Sequence, residues 1–486
     1  MDVGSSTTHI CEDLTDKELA ARWKEIPMET ARSYVNKLQT RIAKAVKEGK
    51  HRLARRLQYL LTHSFYAKVL AVKTVTENKG KRTPGVDGIL WNSPQQKMKA
   101  ALSLTDKGYR AQPLNRIYIP KPNSTKKRPL SIPTFYDRAM QALYAIALQP
   151  WAETTADRTS FGFRKFRGAH DAMQYIFNCM SKPRSAEFVL EGDIRSCFDC
   201  ISHEWLLKHI PMDKRILNQF LKSGYMFEGA HYETLMGTPQ GGLISPILAN
   251  MALDGMEILL KGRFKERKVN LIRYADDFVV TAETRDIAEE VRVTIENFLS
   301  ERGLTLSEEK TKVIHINDGF DFLSWNFRKY GSKMLIKPSK KSIDSVTHAI
   351  SEIIKNAKGW SQEQLINRLN PIILGWTLYH RNVVSAAIFG KLNHIVWGML
   401  WHWAKRRHPD KGKYWIVRKY WHSISTSNWV FTTFTSTLRL FTHTKIKRHI
   451  LIKMESNPFL DQEYFSKRYS GDTSKQTKIP FFYTVP

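Results

Sequence analysis

Apolar residues near the start of the chain recur at three- and four-residue spacing, with basic residues between them. Tyr34, Leu38, Ile42 and Ala45 form one such stripe, and Leu53, Leu57, Leu60 and Leu61 another, which predicts helices across residues 28–75. The segment KGKRTPGVDG, residues 79–88, then breaks the pattern with Gly and Pro. Residues 116–133 read as two extended segments joined by a basic polar turn, and a helix is expected from Asp137 to Leu148. EFVLEGDI, residues 187–194, reads as a strand ending in an acid, with Ser202 placed to cap the helix after it. Residues 246–260 read as one helix with Pro246 in its first turn. LIRY, ADD and FVVT predict a β-hairpin with two aspartates at its tip. An amphipathic helix over 284–301 and strands at KVIHI and FDFLSWNF follow. The strand–helix alternation stops near Pro338, and from Ser342 to about His408 the pattern is helical and rich in tryptophan.

Composition adds a partner to this picture. The 486 residues carry a formal charge of +30 with an ordinary apolar fraction, so the chain should fold and should meet a polyanion, most simply nucleic acid. The basic residues cluster: Arg41, Lys44, Arg52, Arg55 and Arg56; then Arg406, Arg407, Lys411 and Lys413; then Lys445, Lys447 and Arg448. The first cluster fits either a solvated helical hairpin or an arm lying on phosphates. None of the four cysteines lies beyond Cys200, and the lone pair Cys197/Cys200 has too few companions for a zinc site. No apolar run reaches membrane-spanning length and the N-terminus lacks a signal pattern, so no membrane partner and a cytoplasmic location are expected.

The chemistry concentrates in three acids. Asp276 and Asp277 sit side by side between apolar strands, where two carboxylates repel each other unless a cation intervenes. Mg²⁺ prefers carboxylate and water oxygens, and Asp193 at the end of another strand can complete such a site. Two ions there would stabilise both the attacking 3′-oxygen and the leaving pyrophosphate of a nucleotidyl transfer. An exposed turn is the usual home of an isolated Asp-Asp pair, but the flanking LIRYA and FVV argue against that here.

YADD in this setting resembles the catalytic motif of reverse transcriptases, and its companions occur in the family's order. FVLEGDIRSCFD resembles the first acid motif, with Asp193 as metal ligand and Phe198 at the bulky position that excludes a ribose 2′-hydroxyl; ordinary core packing is the alternative for Phe198. GTPQGGLISPILANMAL resembles the template and nucleotide motif, with Gln240 against the incoming dNTP. IPKPNSTKKRPLSIP resembles the fingers motif, where Lys121 and Arg128 would take the triphosphate, and SFGFR the short aromatic-glycine-arginine motif. GLTLSEEKTKV places Lys310 near the leaving phosphate or on the surface, and FLSWNF resembles the primer-gripping hairpin, with Phe322, Leu323 and Trp325. The resemblance implies metal-site residues Asp193, Ile194, Asp276 and Asp277, two Mg²⁺ ions with Mn²⁺ as a substitute, and dNTP as substrate.

The likeness is nearest to the reverse transcriptases encoded by group II introns, of the chloroplast-like bacterial lineage. RTPGVDG and the basic start match that family's extension ahead of the fingers. ILGWTLYHRN and WAKRRHPDKGKYWIVRKYW resemble its thumb, the maturase or X domain, in which Trp376, Tyr379 and His380 read as core packing. The implied fold is α+β, a right-hand polymerase with fingers, an antiparallel palm sheet and an all-helical thumb. The expected division is a basic helical extension (1–78), fingers and palm (79–338), thumb (339–430) and a short basic nucleic-acid-binding segment (431–486). The implied partners are structured RNA of the group II intron type, an RNA template with a DNA or RNA primer, and target DNA. Two other roles stay open: a splicing cofactor acting chiefly on folded intron RNA, and a domesticated reverse transcriptase in phage defence or DNA repair. Many relatives end in an HNH-type endonuclease with cysteine pairs; the missing C-terminal cysteines predict no second-strand cleavage.

Overall fold

The basic amphipathic stretches fold into three consecutive helices, Met28–Lys47, His51–His63 and Phe65–Glu77. The structure is a computed structural model and describes residues 14–120, 127–424 and 427–469. The first helix buries Val35, Leu38 and Ile42, as its spacing predicts. The second turns Ala54, Leu57 and Leu61 inward, which leaves Leu53 and Leu60 exposed, and Tyr34 on the first helix is exposed too. That corrects the expected stripe: the buried row includes Gln58, whose side chain donates to the Ala147 carbonyl. Gln39 likewise donates at 2.8 Å to the Ile146 carbonyl. Both acceptors lie in the helix Phe135–Thr155, which contains Pro150. Proline has no N–H, so the Ile146 carbonyl lacks its helical donor, and Gln39 supplies one.

Strands β1 (Leu114–Pro120) and β2 (Lys127–Ile132) pair antiparallel, with Ile119 opposite Arg128. Strand β3 (Phe188–Asp193) follows, then the short hairpin β4 (Tyr225–Phe227) and β5 (Ala230–Tyr232), which extends the first sheet in the order β2-β1-β4-β5. Strands β6 (Asn270–Tyr274), β7 (Asp277–Ala282) and β8 (Lys312–His315) join β3 in an antiparallel sheet of order β6-β7-β3-β8. The amphipathic helix Arg285–Ser300 packs on it through Ile287, Val291 and Ile295. Its core is continuous with the N-terminal helices, so position 78 marks no break in packing. The expected helix over 246–260 is two, Ser245–Leu253 and Met256–Arg263, parted at Gly255 with φ +98°. Strands β9 (Phe320–Phe322), β10 (Trp325–Tyr330) and β11 (Lys333–Pro338) form a third sheet over the other face of the palm.

A second core begins past Pro338. The helices Lys340–Asn356, Gln362–His380 and Ala386–Arg407 build it, together with a hairpin of β12 (Trp421–Ile424) and β13 (Ser427–Phe431). Leu438 and Phe441 belong to this core, so the expected boundary at 430/431 falls inside packed structure. The following residues are not a free segment either. Ile452 N–H donates to Asp171, Arg158 pairs with Glu455 at 2.6 Å, and Thr40 donates to the Phe459 carbonyl. This strap spans thumb, palm and N-terminal helices because its partners lie hundreds of residues away, beyond any local pattern. Among the described residues no helix is long and apolar enough to cross a membrane.

Thumb and palm meet at aromatic contacts. Tyr379 stacks on Trp325 with centroids 4.6 Å apart, and its hydroxyl donates to the Leu323 carbonyl. His380 beside it is buried, lies 3.0 Å from the Ser342 hydroxyl, and is held down to about 3 by burial and by His170. A histidine kept neutral in the fold contributes stability that is full above its unfolded pKa and is lost as pH falls toward its folded value. The melting temperature should therefore fall as pH drops below ~6.5, by about 1 kcal/mol of stability per pH unit from this group alone. The difference between wild type and His380→Gln across that range isolates the term; a pH-independent difference would contradict it.

Candidate active site

The palm sheet brings three acids to one end. Asp193 closes β3 and lies directly opposite Asp277, the first residue of β7. Tyr274 pairs with Asp277 across the β6–β7 hairpin, so Ala275 and Asp276 alone make its turn. Ala275 has φ +59°, a conformation that the first position of such a tight turn requires and that favours glycine. A side chain there costs roughly 1 kcal/mol or more, so the surroundings must hold the turn in place.

They do so through Arg273, whose side chain is completely buried. It pairs with Asp254 at 2.5 Å, donates to the Asn250 side-chain oxygen at 3.0 Å, and reaches the Ala275 carbonyl. Asn250 in turn donates to the Gly162 carbonyl, and Phe161 N–H to the Arg273 carbonyl. Gly162 is glycine for a steric reason: a Cβ there would lie 2.3 Å from the Ala275 nitrogen. SFGFR is thus the wall behind the aspartate turn. Burial pushes the Asp254 carboxyl up to about 7, against the opposing pull of Arg273. Arg273, Asp254 and Asn250 were missed in the sequence. The available signal was an arginine inside the apolar run LIRY, since a charge facing a core needs a built partner.

The electrostatics suit a cation. Partial burial, then Asp276 and Asp193, push Asp277 up to about 7. Burial also raises Asp276, with Asp193 adding to the shift and Arg128 and Lys310 opposing it. Lys310 Nζ lies 2.8 Å from Asp193, and that hydrogen bond raises the lysine. Among the described residues no three His, Cys, Asp or Glu side chains form a closed cage for a metal ion. The donor set nonetheless fits a hard divalent cation: it offers carboxylate oxygens, it is self-repelling, and one member already holds an ammonium. The Ile194 side chain is buried hydrocarbon with no ligand atom, so only its backbone carbonyl could serve a metal.

The nucleotide candidates surround this end. Phe198 is half-buried, edge-on to Phe163 at 6.3 Å, and its carbonyl accepts from Thr238 N–H. A Cβ on Gly237 would collide with the Phe198 and Asp199 backbone, so the GTPQ loop lies directly on this short helical turn. Gln240 donates to Asp199 at 3.0 Å, and its carbonyl accepts from Ser131 at the end of β2. Arg128 is exposed on β2; Lys121 lies outside the described residues.

The primer-grip expectation needs correction. Trp325 is fully buried and Phe322 nearly so, both in the core under the third sheet. Only Leu323 and Ser324, at φ +49° and +69°, form the hairpin's tip. The resemblance of FLSWNF implied a primer-holding hairpin; the Trp325 ring is instead taken up by Tyr379, which stacks on it and joins thumb to palm. The basic candidates Arg41, Lys44, Arg52, Arg55, Arg56, Arg406, Arg407, Lys411, Lys413, Lys445, Lys447 and Arg448 are all exposed. Arg407 is tethered, donating to the Trp360 carbonyl at 2.6 Å.

A polymerase palm with paired carboxylates, fingers and a helical thumb defines a class, and sequence comparison agrees with it. Residues 119–327 match the family model for reverse transcriptase (RNA-dependent DNA polymerase), residues 23–104 the N-terminal domain of reverse transcriptase, and residues 343–421 the group II intron, maturase-specific domain. The chain belongs to the group II intron-encoded reverse transcriptases and maturases. It is 31% identical over 337 residues to protein YkfC of Escherichia coli, a match covering 60% of this chain and 87% of YkfC. It is 30% identical over 361 residues to the group II intron-encoded protein LtrA of Lactococcus lactis subsp. cremoris, covering 59% of each chain. An uncharacterised 91 kDa protein in the cob intron of Schizosaccharomyces pombe is 27% identical over 428 residues, 70% of this chain and 52% of that one. The chain thus spans little more than half the length of the last two. RNA is its partner class, and the reverse transcriptase domain carries a dependence on divalent metal.

Proposed function

We propose that this protein extends a primer 3′-hydroxyl with dNTPs on an RNA template, using Asp193, Asp276 and Asp277 to hold two Mg²⁺ ions, with Mn²⁺ able to substitute. The single observation carrying this assignment is the cross-strand pairing of Asp193 with Asp277 beside Asp276. The ions, when bound, supply charge neutralisation at the attacking and leaving oxygens. The chain's own residues do the positioning. Arg128, together with Lys121, takes the triphosphate, and Lys310 is a point charge beside the leaving phosphate. Gln240 contacts the incoming nucleotide at the join of fingers and palm. The Phe198 ring lies under the sugar and excludes a 2′-hydroxyl by contact. The clamp through Arg273 keeps the aspartate turn from drifting, which matters because such catalysis is mostly positioning.

The basic helical arm and the thumb hold structured RNA of the group II intron type and assist its splicing; the match to the maturase-specific domain supports this second activity. Target DNA would use the same basic surface. Primer extension on RNA with Mg²⁺ and dNTPs tests the main reading, and a wild-type protein that makes no cDNA overturns it. Phe198→Ala is expected to raise ribonucleotide incorporation relative to dNTP by about a hundredfold, the scale of discrimination that steric exclusion in one pocket provides. Unchanged discrimination in single-nucleotide addition would place the gate elsewhere.

A further inference from the structure

The Lys310 ammonium holds an Asp193 carboxylate oxygen at 2.8 Å, and among the described residues no other cation forms an ion pair with Asp193, Asp276 or Asp277. Backbone frames this contact. Arg195 N–H donates to the Thr305 carbonyl at 2.9 Å, Ser307 N–H donates to the Asp193 carbonyl at 2.8 Å, and Ile194 bridges Leu306 between them. The turn after Ser307 closes through Lys310 N–H and Thr311 N–H, which donate to the Ser307 carbonyl at 3.1 and 2.9 Å. Lys310 therefore springs from a turn that is hydrogen-bonded to the residue whose side chain it grips. Its own side chain is 65% exposed, so it can leave Asp193 without opening any core.

We infer that Lys310 competes with a divalent ion for Asp193, so that loading the site requires the ammonium to swing off the carboxylate. The inference rests on the reading of the three acids as a metal-holding site and deepens it. Asp193 has two carboxylate oxygens for everything it holds. Two ions shared with Asp276 and Asp277 draw on both, and two cations on one oxygen repel each other at contact distance. The lysine thus has two successive partners. On Asp193 it offsets part of the repulsion within the acid cluster. Displaced, it is free to serve the phosphates. The exchange needs only the rotation of one flexible side chain, while the strands and the turn that carry the acids stay in place.

The test titrates the full chain with Mn²⁺ alone, without nucleotide or nucleic acid, and measures bound ion by electron paramagnetic resonance. Only the ions that Asp276→Ala fails to bind are counted. Lys310→Met keeps the apolar stem and removes the ammonium. It is expected to bind Mn²⁺ about fivefold more tightly than wild type, the scale of one exposed ion pair. Lys312→Met controls for charge acting at a distance. Lys312 lies opposite Glu191 on the neighbouring strand and, among the described residues, makes no ion pair with the three acids. Its loss should change Mn²⁺ affinity by less than about twofold, because salt screens charges that are not in contact. Melting gives a second reading: at one Mn²⁺ concentration the ion should raise the melting temperature of Lys310→Met more than that of wild type. Equal tightening in both lysine variants would point to overall charge and not to occupation of Asp193. Unchanged or weaker binding in Lys310→Met would mean that lysine and ion share the acid without contest. Either result overturns the inference and leaves the metal site standing. If neither wild type nor Lys310→Met binds any Mn²⁺ that Asp276→Ala loses, the metal-site reading falls as well.

Discussion

Asp276→Ala is expected to lower RNA-templated cDNA synthesis by roughly a thousandfold or more, the scale of removing a group that neutralises charge in a transition state. The same variant should bind RNA within about twofold of wild type, because phosphate-contacting basic faces dominate such affinity. The separation follows from geometry. Asp276 sits at the turn of a hairpin whose neighbours are Asp277 and, across the sheet, Asp193. The exposed basic helices of the N-terminal arm contribute nothing to that turn. Removing one carboxylate relieves repulsion on Asp277, so the variant should melt no lower than wild type. Synthesis at wild-type rate in Asp276→Ala would remove the site assignment, and a parallel loss of RNA binding would mean that the substitution had disturbed more than the acid.

Arg273→Ala is expected to destabilise the palm by roughly 3–5 kcal/mol, because it strands the buried Asp254 and Asn250 without their partner. Arg273 is fully buried and bridges the helix end at Asp254, the Asn250 amide and the aspartate turn. Some of the lost stability should return in the double variant Arg273→Met, Asp254→Leu, where no charge remains to be buried. Activity should not return with it, since the Ala275 carbonyl would still lack its donor and the strained turn its support. Chemical denaturation with a parallel primer-extension assay reads both quantities. A double variant with full activity would show that the clamp matters to folding alone.

The parts of this molecule legible in the sequence share one property: their cause is local. The β6–β7 hairpin announces itself because two acids interrupt two apolar strands, and the thumb helices because tryptophans recur at helical spacing. The antiparallel palm follows once the acids are required to meet. The Arg273 clamp was legible only as an arginine out of place in an apolar run; its partners, Asp254 and Asn250, lie a helix away. Leu53 and Leu60 were misplaced because helix periodicity fixes a stripe only to within one residue, and Gln58 took the buried place on account of a carbonyl elsewhere. Phe322 and Trp325 were placed at a primer grip by the resemblance of FLSWNF, and nothing local reveals that both rings are buried or that Tyr379 stacks on Trp325. The strap after Phe441 reads as basic and free; its partners Asp171, Arg158 and Thr40 are too distant for any pattern to join.

The proline inside the helix Phe135–Thr155 has an architectural consequence. By withholding one N–H it turns the Ile146 carbonyl into a keyhole, and Gln39 is the key. The seat of the basic arm is thereby anchored to main-chain atoms, which no side-chain substitution in the palm can delete. Surface residues on the arm are free to vary, while its bearing on the rest of the hand stays fixed.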